Sequence, residues 1–314
     1  MLRSTARFWR RAPQLCKRQV FTRDFTIAID GPAASGKSST ARAVAQELGF
    51  GYIDSGSIYR CATLLALRNN MAGDIDEHWP DLINLIGKAG VEIKIQSSSN
   101  HSLSAVAAKT GRLVVPNVQV LLDGEDVSND IRTPEVNRLV AKVASDGGVR
   151  SAVLDIQRSL AASADTKVTE TQGSGKESNA IPGGVVMDGR DVGTTVFPNA
   201  ELKIYLDASA MARAIRRWDE MNSQWKKKQT EEAASKQESK GDSSVPVGYP
   251  SVEDIARELE QRDYADINRQ HSPLRIAPDA VVIDNTNLTF EQQVYSITDL
   301  ARERMGLQRK YDDI

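Results

Sequence analysis

Apolar positions recur along the chain with two periods. Phe25-Thr26-Ile27-Ala28-Ile29-Asp30 alternates and is rich in β-branched residues, which predicts a strand. Gly31 to Gly36 interrupts regular structure. Ala41, Val44, Ala45 and Leu48 then recur at helical spacing from Lys37 to Leu48, with Gly49 as a stop. The stripe Ile58, Cys61, Leu64, Leu65 predicts a second helix over Ile58–Leu67. Val91–Ile95 and Val118–Leu122 alternate again, and the second runs into a turn at Asp123-Gly124-Glu125-Asp126. The polar stretch Gln96–Lys109 between them reads as a loop, so 91–125 predicts a small antiparallel insert. Pro134–Leu160 predicts two helices broken at Gly147-Gly148. Further strands are predicted at Gly184–Asp188, Leu202–Leu206 and Ala280–Asp284, and helices at Ser209–Met221, from Ser251, and at Phe290–Met305. Glu253 and Asp254 suit the first turn of the helix at Ser251, next to the positive end of its dipole. Strands alternating with helices predict an α/β fold, one parallel sheet covered by helices on both faces. No internal repeat is visible.

Two stretches carry no apolar period. Residues 164–183 are rich in Ser, Thr, Gly, Lys and Glu, and 226–248 in Lys, Gln, Glu and Ser. Such composition cannot bury enough apolar surface to offset ordering, so both are expected to be disordered insertions. One domain is expected over 25–306, with 307–314 as a tail.

Composition narrows the class. With 314 residues, 40% hydrophobic and 26% charged, the chain matches a globular protein, and it holds no run of 18 apolar residues. Cys16 and Cys61 cannot build a disulfide framework, and His78, His101 and His271 form no ligand cluster. The net charge of −2 gives no reason to expect nucleic acid as a partner. That average hides an asymmetry. Arg3, Arg7, Arg10, Arg11, Lys17, Arg18 and Arg23 face one acid, Asp24, so the first 25 residues carry +6 and the remainder −8. An Arg-rich, acid-poor leader interleaved with Leu2, Phe8, Trp9 and Leu15 is expected to be a mitochondrial transit peptide over 1–24, placing the mature protein in the matrix. A basic tail on a cytoplasmic protein is the alternative.

The chemistry begins at Gly31-Pro32-Ala33-Ala34-Ser35-Gly36-Lys37-Ser38, which satisfies G-x-x-x-x-G-K-[ST] between a predicted strand and a predicted helix. Glycines let backbone N–H groups converge on a phosphate, and the helix starting near Lys37 aims its positive end there. Lys37 offers a point charge to β- and γ-phosphates, and Ser38 can take a place on Mg²⁺. Gly31 through Ser39 is therefore the expected ATP-binding loop. Such a loop serves motors, GTPases and kinases alike, so discrimination needs a second anion site. Asp54-Ser55-Gly56-Ser57-Ile58-Tyr59-Arg60 and Asp188-Gly189-Arg190-Asp191-Val192-Gly193 are the candidates, both at strand ends. The bland readings are a helix cap for Asp54 and a structural ion pair for Arg190 with Asp188 or Asp191. Arg213, Arg216 and Arg217 share a helix face, as do Arg262 and Arg269. Guanidinium groups on a mobile flap would neutralise a transferring phosphoryl group, against the alternative of solvated surface charge.

The ordered set of motifs resembles the cytidylate kinase family, the bacterial-type CMP/dCMP kinases. It comprises Ile29–Thr40, Leu48-Gly49-Phe50, Asp54–Arg60, Gly124–Ser128 with Ile131-Arg132, Val149-Arg150 and Gln157-Arg158. It continues through Met187–Pro198, Lys203–Ala208, Arg262-Asp263 and Asp266–Arg269. The resemblance implies transfer of the γ-phosphoryl group of ATP to CMP or dCMP with Mg²⁺, with a small antiparallel insert and a helical lid; a monomer is expected. It implies that Ser55, Arg150, Arg190 and Asp191 bind CMP and that Arg262 and Arg269 hold phosphate oxygens. It further implies that Arg216 and Arg217 belong to the lid and that Tyr59 and Arg60 flank the acceptor phosphate. Lys37, Arg190, Arg216, Arg217 and Arg262 are then the catalytic set, with Ser38 and Asp188 on the metal. The chain departs from the family at Ala141, where a serine commonly reads the cytosine ring, with Lys142 and Ser145 as neighbouring candidates. It departs again in its two polar insertions. The rival expectations are a kinase of another monophosphate such as UMP, and a P-loop NTPase acting as a switch.

Overall fold

The computed structural model describes residues 25–96, 115–164, 183–236 and 249–308. The leader at 1–24, most of the Gln96–Lys109 loop, nearly all of the 164–183 insertion and the far half of the 226–248 insertion lie outside these residues, as does most of the tail.

A five-stranded sheet runs in the order β2-β6-β1-β7-β8, with β1 at Phe25–Asp30, β2 at Gly51–Asp54, β6 at Gly184–Gly189, β7 at Leu202–Asp207 and β8 at Val281–Asp284. Every pairing is parallel, with Ala28 opposite Met187 and Lys203, and Ile53 also opposite Met187. Alternate residues feed opposite cores. Ile27, Ile29, Val186, Leu202 and Ile204 pack with Val44 and Leu48 of α1 (Lys37–Leu48) and Val294 and Ile297 of α8 (Phe290–Arg304). Ala28, Val185 and Met187 pack the other way, on Ile58 and Ala62 of α2 (Ser55–Arg68) and Val149 and Val153 of α5 (Gly147–Ala164). Burial of every residue of β6 explains why Gly184–Asp188 reads as a nearly continuous apolar run.

The expected insert is a three-stranded antiparallel sheet, β3 (Val91–Gln96), β4 (Asn117–Leu122) and β5 (Glu125–Asp126). Several elements differ from the sequence expectation. The helix break falls before Gly147, between α4 (Pro134–Val143) and α5, because Asp146 accepts from the Val149 N–H at 2.8 Å and caps the second helix. Helix α3 (Trp79–Lys88) was not expected at all. The helix after β7, α6 (Ala210–Lys236), continues into the polar run taken for an insertion. Lys, Gln, Glu and Ala are strong helix formers and need no apolar stripe to extend a helix that is already nucleated. α6 packs on α7 (Val252–Asn268), whose start is fixed by a Ser251–Asp254 capping box. No helix among the described residues is long and apolar enough to cross a membrane.

Candidate active site

The parallel strands deliver their chemistry at one edge. Gly31 follows β1, Ser55 follows β2, Arg190 follows β6 and Asn285 follows β8. Ligands of open α/β sheets bind at these carboxyl ends. Two large cavities open there.

The first, about 610 Å³, is lined by Ala34, Gly36, Lys37, Ser38, Ser39, Arg42, Arg216, Arg217, Glu220, Asn285, Leu288, Phe290 and Gln293. Gly31 passes against β7 so closely that an added Cβ would stand 2.2 Å from the Leu206 carbonyl oxygen, so a side chain cannot replace it. Gly36 sits at φ 84° and opens α1 without a side-chain cap. The first-turn amides of α1 are thus left for an anion. Lys37 is buried and donates to the Pro32 carbonyl at 2.7 Å. Burial, and then the Arg190 charge, hold its ammonium well below the usual lysine range. Ala33 is buried, and Arg213 donates to its carbonyl at 2.8 Å while pairing with Asp263 at 2.6 Å. Arg213 therefore braces the loop and is not one of the guanidinium groups facing the cavity. Arg216 is, and it donates to Asn285 Oδ1 at 2.9 Å.

Beneath the loop, Ser38 Oγ donates to Asp188 Oδ2 at 2.6 Å and the Tyr52 phenol to Asp188 Oδ1 at 2.7 Å. Burial and the nearby Asp54 charge push the Asp188 carboxyl up to about 6, against the opposing Ser38 bond, the Lys37 charge and the Tyr52 bond. Asp54 itself is a helix cap, accepting from the Ser57 N–H at 3.0 Å, which starts α2 three residues ahead of the apolar stripe.

The second cavity, about 540 Å³, is lined by Ser55, Tyr59, Arg60, Ala141, Ser145, Arg150, Arg190, Asp191, Arg217, Arg262, Asp266 and Arg269, among others. It thus gathers every residue expected to bind the acceptor. Arg217 also lines the first cavity. Arg150 Nη2 donates to Asp191 Oδ2 at 2.5 Å, both side chains being 6% exposed, and Arg269 reaches Asp191 Oδ1 at 3.2 Å. The Arg150 guanidinium lies 5.2 Å from the Tyr59 ring centre. Ser55 Oγ accepts from Gln157 at 2.8 Å, and Arg60 is held by the Ile131 carbonyl and by Asn137. Arg190 pairs with neither Asp188 nor Asp191, the partners its sequence neighbourhood offered. Its Nε donates to Asp266 of α7 at 2.8 Å. Arg262 has no hydrogen-bond or ion-pair partner among the described residues. Of the candidates beside Ala141, Lys142 turns outward to Asp76 at 2.7 Å, while Ser145 lines the cavity with its hydroxyl donating to the Lys142 carbonyl.

The sequence reading left out Asn285 and Gln293 of the first cavity and assigned no role to Asp266 of the second. Their only sequence signals are position: directly after a strand, on the inner face of the last helix, and four residues past Arg262.

A phosphate loop at the end of the central strand and an arginine-rich cavity beside it, sharing one lid arginine, define a P-loop kinase of the nucleoside monophosphate type. The profile of one such family, cytidylate kinase, matches residues 27–178, 174–248 and 242–303, and the chain belongs to that family. A cytidylate kinase of Pelodictyon phaeoclathratiforme is 36% identical over 288 residues, covering 92% of this chain and 99% of the relative. One from a Geobacillus species is 36% identical over 281 residues, 89% and 97% of the two chains. One from Flavobacterium johnsoniae is 35% identical over 278 residues, 88% and 96%.

Proposed function

We propose that the protein transfers the γ-phosphoryl group of ATP to CMP and dCMP, giving CDP and dCDP. The observation that carries this reading is the pair of cavities at the sheet's carboxyl edge, with Arg217 lining both. The 610 Å³ cavity takes ATP, its phosphates on the amides from Ala34 to Ser39 and on Lys37. The 540 Å³ cavity takes the monophosphate, with Tyr59, Arg60, Arg190, Arg262 and Arg269 around its phosphate and Ser55, Arg150 and Asp191 on the nucleoside side. The acceptor phosphate is already anionic at neutral pH, so the chain needs no covalent nucleophile and no strong base. Its work is to align an acceptor oxygen with the γ-phosphorus and to neutralise charge that spreads over the equatorial oxygens. Arg190, Arg216, Arg217 and Arg262 suit that second task.

The Ser38 hydroxyl and Asp188 carboxylate are hard oxygens 2.6 Å apart, a donor set that fits Mg²⁺. Bound there, Mg²⁺ would offset charge on the β- and γ-phosphates. Tyr52 holds the remaining Asp188 oxygen. No group of three or more His, Cys, Asp or Glu suited to a metal occurs among the described residues, and Mg²⁺ shared with substrate phosphates needs none.

A coupled assay across all monophosphates, in ribo and deoxy forms, tests the reading. CMP and dCMP should be the preferred acceptors. Equal turnover of UMP, which the Ala141 wall leaves as the alternative, would overturn the cytosine assignment. ATP turnover without any monophosphate would point to a switch. The basic leader supports delivery to the mitochondrial matrix, and residues 1–24 fused to a fluorescent protein should carry it there; a cytoplasmic signal would count against that. A single monomer peak is expected on gel filtration, with or without RNA.

A further inference from the structure

Asn285 directly follows β8 and is fully buried, yet it belongs to no phosphate-loop motif. Both ends of its side chain are used. Its Nδ2 donates to the Ser35 carbonyl of the phosphate loop at 2.8 Å and to Gln293 Oε1 on α8. Its Oδ1 accepts from Arg216 Nη1 at 2.9 Å, and its backbone carbonyl from Arg216 Nη2 at 2.6 Å. Gln293 continues the series, donating to Thr40 Oγ1, whose hydroxyl donates to the Gly36 carbonyl at 2.8 Å. The donors all run one way, from Arg216 through Asn285, Gln293 and Thr40 to the phosphate loop.

We propose that Asn285 is the positioning residue of the donor site, fastening the Arg216 guanidinium of α6 to the Ser35 carbonyl so that lid helix and phosphate loop grip a triphosphate as one unit. The proposal rests on reading the 610 Å³ cavity as the ATP site. The Ser35-Gly36 peptide is trans and planar, so a carbonyl drawn to Asn285 turns the Gly36 N–H the opposite way. Only an amide fits at 285. A carboxylate would set an acceptor against the Ser35 and Gln293 oxygens, and an apolar side chain would leave both unpaired in a buried network.

The test measures binding of a fluorescent ATP analogue and of CMP separately, on the full chain. Asn285→Asp is expected to weaken the ATP analogue about tenfold or more while CMP affinity stays within about twofold. Asn285→Ser, which keeps a small hydroxyl, and Arg216→Lys, which keeps the charge but not the fork, complete a double-mutant cycle. Their losses should not add, the double variant binding no worse than the weaker single one. Wild-type ATP affinity in Asn285→Asp, parallel loss of ATP and CMP, or additive losses in the cycle would each overturn the proposal. A wild-type protein that binds ATP but phosphorylates no monophosphate would sink the kinase reading and leave this test intact.

Discussion

Asp30 and Gly193 stand 163 residues apart in the chain, and the Gly193 N–H donates to Asp30 Oδ2 at 2.7 Å. The Val192 N–H donates to the other oxygen at 2.8 Å. Asp30 ends β1 immediately before the phosphate loop, and the turn it caps over Val192–Val196 follows directly on Arg190 and Asp191. One buried carboxylate thus sets the donor loop against the acceptor side. A Cβ at Gly193 would stand 3.2 Å from Lys203 Cδ and 3.3 Å from Asp30 Oδ2, so the turn is packed from both sides.

A pH dependence follows from that carboxylate. Burial pushes the Asp30 carboxyl up from 3.8 to about 6, with the Gly193 and Val192 bonds and Lys37 opposing and the Asp191 charge adding. An acid whose folded value lies above its unfolded value binds more protons when folded. Its contribution to stability is full below 3.8 and is lost as pH rises through about 6. Asp30→Asn does not titrate. In urea unfolding at pH 4 to 7.5, the stability of the wild type minus that of Asp30→Asn should fall as pH rises. A difference that is flat or increasing over that window would sink the assignment.

Lys37 is the second case. Its buried Nζ lies 2.7 Å from the Pro32 carbonyl, and the residue lines the donor cavity but not the acceptor one. Lys37→Ala should lower kcat by about a hundredfold or more, the scale of losing one preorganised charge-stabilising group. CMP affinity by calorimetry should stay within about twofold, since CMP gains no uniform binding from this group. Turnover of CMP at near wild-type speed would remove Lys37 from the catalytic set.

The Arg150–Asp191 pair makes a third prediction. Both side chains are buried, and Asp191 is shared with Arg269 at 3.2 Å. Removing one partner of a buried pair costs about 3–5 kcal/mol because a charge is left behind. With Arg269 still present, Arg150→Met should fall toward the lower end of that range and also weaken CMP. Combining it with Asp191→Asn should recover part of the stability but none of the CMP affinity. Denaturant midpoints and CMP titrations of the three variants separate the two effects.

The legible parts of this molecule are those written in contiguous residues. Phe25–Asp30 announces a strand by its alternation and β-branched residues, Gly184–Asp188 by its unbroken apolar run, and the loop from Gly31 to Ser39 carries its chemistry in one run. What was not legible is set by tertiary placement. Arg213 and Arg216 lie on one helix three residues apart, yet the first meets Asp263 under the loop and the second meets Asn285 at the cavity. Nothing local distinguishes them. Arg190 likewise finds Asp266, 76 positions away, in preference to the acids two before and one after it. Helix α3 was missed for a local reason: Pro80 and Gly87 at its two ends look like loop residues, although proline suits the first turn.

Base choice is the remaining question, and Ala141 makes it testable. On α4, it lines the acceptor cavity with Ser145, which follows the helix, and its methyl offers the base neither a donor nor an acceptor. The Ser145 hydroxyl spends its proton on the Lys142 carbonyl at 2.7 Å, so toward the cavity it can only accept. An acceptor suits the exocyclic amino group of cytosine and opposes the carbonyl that uracil carries at the same place. Ala141→Ser adds a second hydroxyl to that wall. A neutral hydrogen bond is worth about 0.5–1.5 kcal/mol, so the variant should raise the CMP-to-UMP ratio of kcat/KM by about two- to tenfold. Ser145→Ala in the wild-type background should lower the same ratio by a similar factor. Should both variants keep the wild-type ratio, discrimination must come from other residues of the acceptor cavity, and Ser145 would have no part in reading the base.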